Sequence, residues 1–158
     1  MMLELDEYYD EPYKFKSSPY NLPVVVKDPD LNEQPFVQRA DFYLTQFKST
    51  FNDFCAAVNS KDNYEDLIDI DAFCKYLLVN DLILNYEITH PKSSFLYKDH
   101  LSYSDSKIVF GPIWDLDWSY GYEDGSDYFK RSATVDLFRK NWTGSVFYKA
   151  VLNSSDKV

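Results

Sequence analysis

Two aspartates, Asp115 and Asp117, stand one residue apart in the string GPIWDLDWSYG at residues 111–121, just past the apolar run Ile108-Val109-Phe110. Trp114 and Trp118 flank them. A strand that delivers paired carboxylates into a turn can hold a divalent cation beside a phosphate, because hard cations take oxygen ligands and a phosphate completes the shell. The same spacing also suits a solvated loop whose aspartates make local capping bonds. Spacing alone leaves both readings open.

The elements that position this pair follow from hydrophobic period. Residues 3–9 and 22–27 read as short strands, the second β-branched and closed by the turn signal Asp28-Pro29-Asp30. The polar stretch between them, with Pro12 and Pro19, reads as a loop or loose hairpin. From Pro35 an amphipathic helix carries Phe36, Val37, Ala40, Leu44, Phe47, Phe51, Phe54, Cys55 and Val58 on one stripe, with Asn32 or Glu33 serving its start. Residues 59–63 break it. A second helix is expected from Asp69, a good N-cap, to about Asn85, with Phe73, Leu77 and Leu84 on one face and Asn80 interrupting it. A loop at residues 86–94 carries Glu87. Residues 95–98 and 107–113 then read as a hairpin that ends in the acidic pair. Residues 123–127 form an acidic loop. A last helix over residues 135–152 should turn Phe138, Trp142, Val146, Phe147 and Val151 inward, with Gly144 weakening its middle.

Composition narrows the partners. At 158 residues the chain fits one domain or part of a larger one, and a domain of this size buries roughly 70% of its unfolded surface. The 14 Tyr, 12 Phe and 3 Trp supply much apolar area per residue. A formal net charge of -10 argues against nucleic acid and against an anionic membrane surface. A basic protein substrate or a cation suits that field, and solubility is the simpler purpose. Cys55 and Cys74 belong to no zinc-type spacing and read as small hydrophobes on the two helices; the sequence leaves a disulfide between them open. No apolar run is long enough to span a membrane, and residues 1–6 are not a signal peptide.

A helix, an acid-bearing loop, a short hairpin and a second acidic turn form the order that phosphoryl transfer uses: one acid places the nucleophile, others hold Mg²⁺ on the nucleotide. The chain resembles the CotH kinases, a family named for spore coat protein H and abundant in gut Bacteroidetes. The resemblance rests on LELDEYYDE (residues 3–11), LPVVVKDPD (22–30), IDIDAFCKYLLVNDLILN (68–85), HPKSSFLYKD (90–99) and GPIWDLDWSYG. It implies an α+β fold, the large lobe of a protein kinase-like architecture, helical with short β-hairpins. It also implies an enzyme that uses ATP and Mg²⁺ to phosphorylate Ser or Thr in proteins. Under the resemblance Asp115 and Asp117 are the metal-binding acids, with Asp117 the main contact to the metal-nucleotide and Asp115 assisting or fixing the turn. Trp114 is a packing residue. Glu87 takes the place of the catalytic acid.

Two positions depart from the pattern of active members. Glu87 stands where they carry Asp, and Ser93-Ser94 where they carry Asn. A small misplacement of a positioned base can cost about 100-fold in rate. In structural terms Glu87 would simply pair with Lys92 or Lys98. The family's domain is longer than this chain, so residues 1–158 are expected to be a partial domain. Its small lobe, with the lysine that grips the nucleotide, would lie upstream, and further helices downstream. Lys27 is then an exposed structural lysine. The resemblance points to export or the cell surface, as for many gut relatives. Two alternatives stand beside the kinase: an inactive CotH-like surface or binding module, and a DxD nucleotide-sugar glycosyltransferase. The second needs a Rossmann-like βαβ region where two long helices are expected.

Overall fold

Leu3 and Leu5 alternate with Glu4 along β1 (Met2–Leu5), and both leucines are fully buried. That alternation places β1 at the centre of a five-stranded sheet. The computed structural model describes residues 1–85, 87–101, 105–117, 119–120 and 142–153. Its other strands are β2 (Lys14–Lys16), β3 (Pro23–Asp28), β4 (Ser94–Tyr97) and β5 (Val109–Phe110). Their order is β2-β3-β1-β4-β5, with every pairing antiparallel. Leu3 lies opposite Val26 on one side and Leu96 on the other, and Leu96 lies opposite Phe110. One apolar row therefore crosses four strands.

The described helices are α1 (Ala40–Ser60), α2 (Ile70–Leu82) and α3 (Thr143–Asn153). Ala40, Phe47, Phe51, Phe54, Cys55 and Val58 are the buried stripe of α1, as the period predicts. The helix stops where Lys61 turns left-handed at φ 57° and returns its N–H to the carbonyls of Ala57 and Val58. Asp69 caps α2 by accepting from Ala72 N at 2.9 Å. The start of α2 is tied to β5 as well, through Asp69 N to Ile108 O at 2.9 Å and Ile108 N to Leu67 O at 2.8 Å. Phe147 of α3 closes the core, its ring 6.0 Å from Phe54 and 6.3 Å from Phe110.

The α+β class holds, with more sheet than short hairpins alone. The first strand ends at Leu5, not at residue 9, and the polar stretch after it contains β2. Pro35 opens a 3₁₀ turn (Phe36–Arg39) before α1 begins. No side chain caps that turn; the Glu33 carbonyl accepts from Val37 N at 2.8 Å instead. Val37 and Val146 are exposed rather than inward, because each lies outside the arc that faces the sheet. Cys74 is exposed while Cys55 is buried, and both thiols are free. Leu84 lies past the end of α2, in the left-handed region at φ 57°. Gly144 sits in the first turn of the last helix, not in its middle. The expected start of that helix at residues 135–141, the loop at 123–127, and Phe138 and Trp118 lie outside the described residues. Lys27 is a structural lysine but half-buried rather than exposed, held by Glu4 at 3.1 Å and Glu11 at 2.9 Å.

Candidate functional site

The chain turns sharply after α2. Asn80 and Asn85 are both buried, and their side chains meet there. Asn80 Nδ2 donates to the Tyr76 carbonyl at 2.8 Å, and Asn85 Nδ2 donates to Asn80 Oδ1 at 2.9 Å. A short 3₁₀ turn (Glu87–Thr89) follows and carries Glu87 inward. The hairpin of β4 and β5 then returns the chain to the same end of the sheet and releases it into residues 111–120.

Two contacts dock the loop at 111–120 on the loop at 83–93. Tyr120 N donates to the Ile83 carbonyl at 2.6 Å, and Ser93 Oγ donates to Asp115 Oδ2 at 3.3 Å. Leu84, Ser93, Asp115 and Tyr120 all hold positive φ, between 49° and 58°. Non-glycine residues seldom adopt that region, and such strain gathers where a site is built.

Glu87 is 2% exposed, and its Oε1 lies 3.1 Å from Lys92 Nζ. Of the two lysines weighed from sequence, Lys92 is the partner; Lys98 donates to the Ser106 carbonyl instead. Glu87 Oε2 is buried with no hydrogen-bond partner among the described residues. Burial raises the Glu87 carboxyl above its ordinary value, Lys92 and the nearby Ser93 hydroxyl pull it back, and the negative charge of Asp115 adds to the rise. Lys92 is also covered by Tyr8, whose hydroxyl accepts from Nζ at 3.0 Å and whose ring centre lies 4.1 Å away. Burial alone would lower the Lys92 ammonium, but the bonds to Tyr8 and Glu87 outweigh it and raise it.

Asp115 and Asp117 are exposed. Asp115 therefore lies next to the Glu87 loop through Ser93, and Asp117 lies two residues further along the turn. Trp114 does not pack as expected: it is 62% exposed, with its ring centre 6.4 Å from that of Phe95 in an edge contact. Ser94 is buried and receives the Tyr148 hydroxyl at 3.1 Å, so it braces the hairpin. Among the described residues, no group of three or more His, Cys, Asp or Glu side chains converges as a metal cage.

The sequence carries a signal for some of these neighbours and none for others. A glycine in a helix marks close backbone approach, and a Cβ built on Gly144 would meet the Ile88 carbonyl oxygen at 2.5 Å. Tyr8 over Lys92 spans 84 positions and leaves no local trace.

The fold is α+β, and its hairpin leads into a turn whose Asp115 meets Ser93 of the loop that carries Glu87. The chain belongs to the CotH kinase family: the pattern of the CotH kinase protein matches residues 13–156. Neither a curated protein nor a solved structure matches it. No helix of the described residues is long and apolar enough to cross a membrane.

Proposed function

We propose that the chain carries the acidic half of an ATP- and Mg²⁺-dependent Ser/Thr protein kinase of the CotH type. The observation that supports this most is the docking of the two loops, Ser93 on Asp115 and Tyr120 on Ile83, which brings Asp115 to the loop that carries the buried Glu87. The donor set suits the cation. Mg²⁺ bound to a nucleotide takes one or two protein carboxylates and fills its other positions with phosphate oxygens and water. Asp115 and Asp117 provide two exposed carboxylates. Bound there, Mg²⁺ would neutralise charge on the phosphates.

The protein's own residues divide the remaining work. Asp117, free of the Ser93 contact, is the main contact to the metal-nucleotide. Asp115 fixes the turn and assists. Glu87 is the base: Lys92 holds its Oε1, and the carboxylate accepts the proton of an attacking hydroxyl. The net charge of -10 favours a basic protein substrate.

The test is transfer of labelled phosphate from Mg-ATP to histone by the full-length protein. Asp117→Ala and Glu87→Ala should each reduce transfer by about 100-fold or more, the scale expected when a positioned group is lost. Undiminished transfer by both variants overturns the assignment. A non-enzymatic binding module is the second reading, favoured by the Glu87–Lys92 pair, which by itself accounts for a buried glutamate. It predicts that Mg-ATP leaves the melting temperature unchanged. A bound nucleotide at a hundred times its dissociation constant would stabilise by about 2.7 kcal/mol.

A further inference from the structure

We propose that Asn85, braced by Asn80, is the positioning residue that fixes Glu87. This inference rests on the reading of Glu87 as the base.

Asn85 faces two ways. Its Oδ1 accepts from the backbone N–H of Glu87 at 3.2 Å, while its Nδ2 donates to Asn80 Oδ1 at 2.9 Å. Its own N–H donates to the Asn80 carbonyl at 2.8 Å. Asn80 in turn ties back to the Tyr76 carbonyl at 2.8 Å. The amide orientation follows from chemistry, since a flipped Asn85 would oppose donor to donor at Glu87 N and acceptor to acceptor at Asn80. Asn80 is 0% and Asn85 1% exposed, so neither bond competes with water. The result is an unbroken chain from the last turns of α2 to the backbone of Glu87.

An apolar residue at position 80 would continue the buried face of α2. A buried amide there is explained by what it holds. The far side of the same turn is also blocked. Gly144 of α3 lies so close that an added Cβ would stand 2.8 Å from the Thr89 carbonyl oxygen. The loop cannot relax toward α3, so the Asn85 bond sets where the Glu87 carboxylate stands. A serine at position 85 keeps an oxygen able to accept from the N–H two residues on, though more weakly.

The experiment compares wild type, Asn85→Ala, Asn85→Ser and Asn80→Ala in steady-state phosphate transfer and in hydrogen exchange. Asn85→Ala should lower kcat by about 100-fold, with KM for Mg-ATP changed less than about twofold, and Asn85→Ser should recover most of the loss. Exchange at the amides of residues 87–89 should accelerate while α2 keeps its protection. Asn80→Ala carries the same test if Asn85→Ala does not fold. An unchanged kcat for these variants, in a protein that Asp117→Ala inactivates, overturns the positioning role and leaves the kinase reading standing. Wild-type full-length protein that transfers no phosphate overturns the kinase reading instead. Exchange then decides the structural claim: unaltered protection at residues 87–89 in Asn85→Ala overturns it.

Discussion

Glu87 and Lys92 constrain each other because both are buried and 3.1 Å apart. Removing one charge from such a pair strands the other in a medium that solvates it poorly, which costs about 3–5 kcal/mol. Lys92→Met should therefore destabilise the fold by roughly that amount in urea unfolding. Lys92→Met combined with Glu87→Gln should cost clearly less than the two single changes summed, because neither residue is then left charged and alone. Strict additivity would mean the pair contributes no coupling. At this scale the acids were legible from residue type and spacing, since Asp115, Asp117 and Glu87 fall in turns that period and punctuation mark. Their neighbours were legible only as alternatives, as for Lys92, or only as a position of the resemblance without its contact, as for Ser93. Ser93 reaches Asp115 across 22 positions, and such a contact writes nothing into the local pattern.

The helices carry their own record, because a 3.6-residue period acts within one element. Six positions of the α1 stripe are buried as read, and Asp69 caps α2 as read. The same period misplaces Cys74, whose apolar neighbours Leu78 and Leu82 are 67% and 78% exposed on an outward face of α2. The two thiols separate these faces experimentally. Burial pushes the Cys55 thiol up to about 12, so its nucleophilic thiolate is scarce at neutral pH. Iodoacetamide at pH 8 should label Cys74 in the folded protein and reach Cys55 only after unfolding, with peptide mass mapping as the measure. Labelling of Cys55 at the rate of Cys74 would contradict the packing of α1. The linkage has a definite sign. The folded thiol binds its proton more tightly than the unfolded one, whose ordinary value is 9.0, so this contribution is complete below that pH and is lost as pH rises toward 12. Strands were harder to read. β1 has four residues and β5 two, so the strands read at residues 3–9 and 107–113 were placed but drawn too long, and the β1–β4 pairing spans the chain too widely to leave a local trace.

At the scale of the whole molecule, the sheet joins strands from residues 2–28 to strands from residues 94–110. Met2 pairs with Tyr97 and Leu5 with Ser94, so the first strand is completed on one side by a strand about 90 residues away. Loop closure over such a separation is costly before any contact rewards it, and the reward here is aromatic. The ring of Phe147 lies 5.3 Å from Tyr20, 6.4 Å from Phe51, 6.0 Å from Phe54 and 6.3 Å from Phe110, centre to centre. One side chain of α3 thus joins the β2–β3 connection, α1 and the hairpin that delivers the acids. Phe147→Ala should cost about 3–5 kcal/mol, from lost transfer energy plus the cavity left among rings that cannot all collapse into it. The loss should be shared. Amides of α1 and of β4 and β5 should lose protection together in hydrogen exchange, because the ring is common to both. If only α3 loosens while α1 and the hairpin keep wild-type protection, the sheet and helices are separate cooperative units. The acidic loops would then owe their position to the sheet alone.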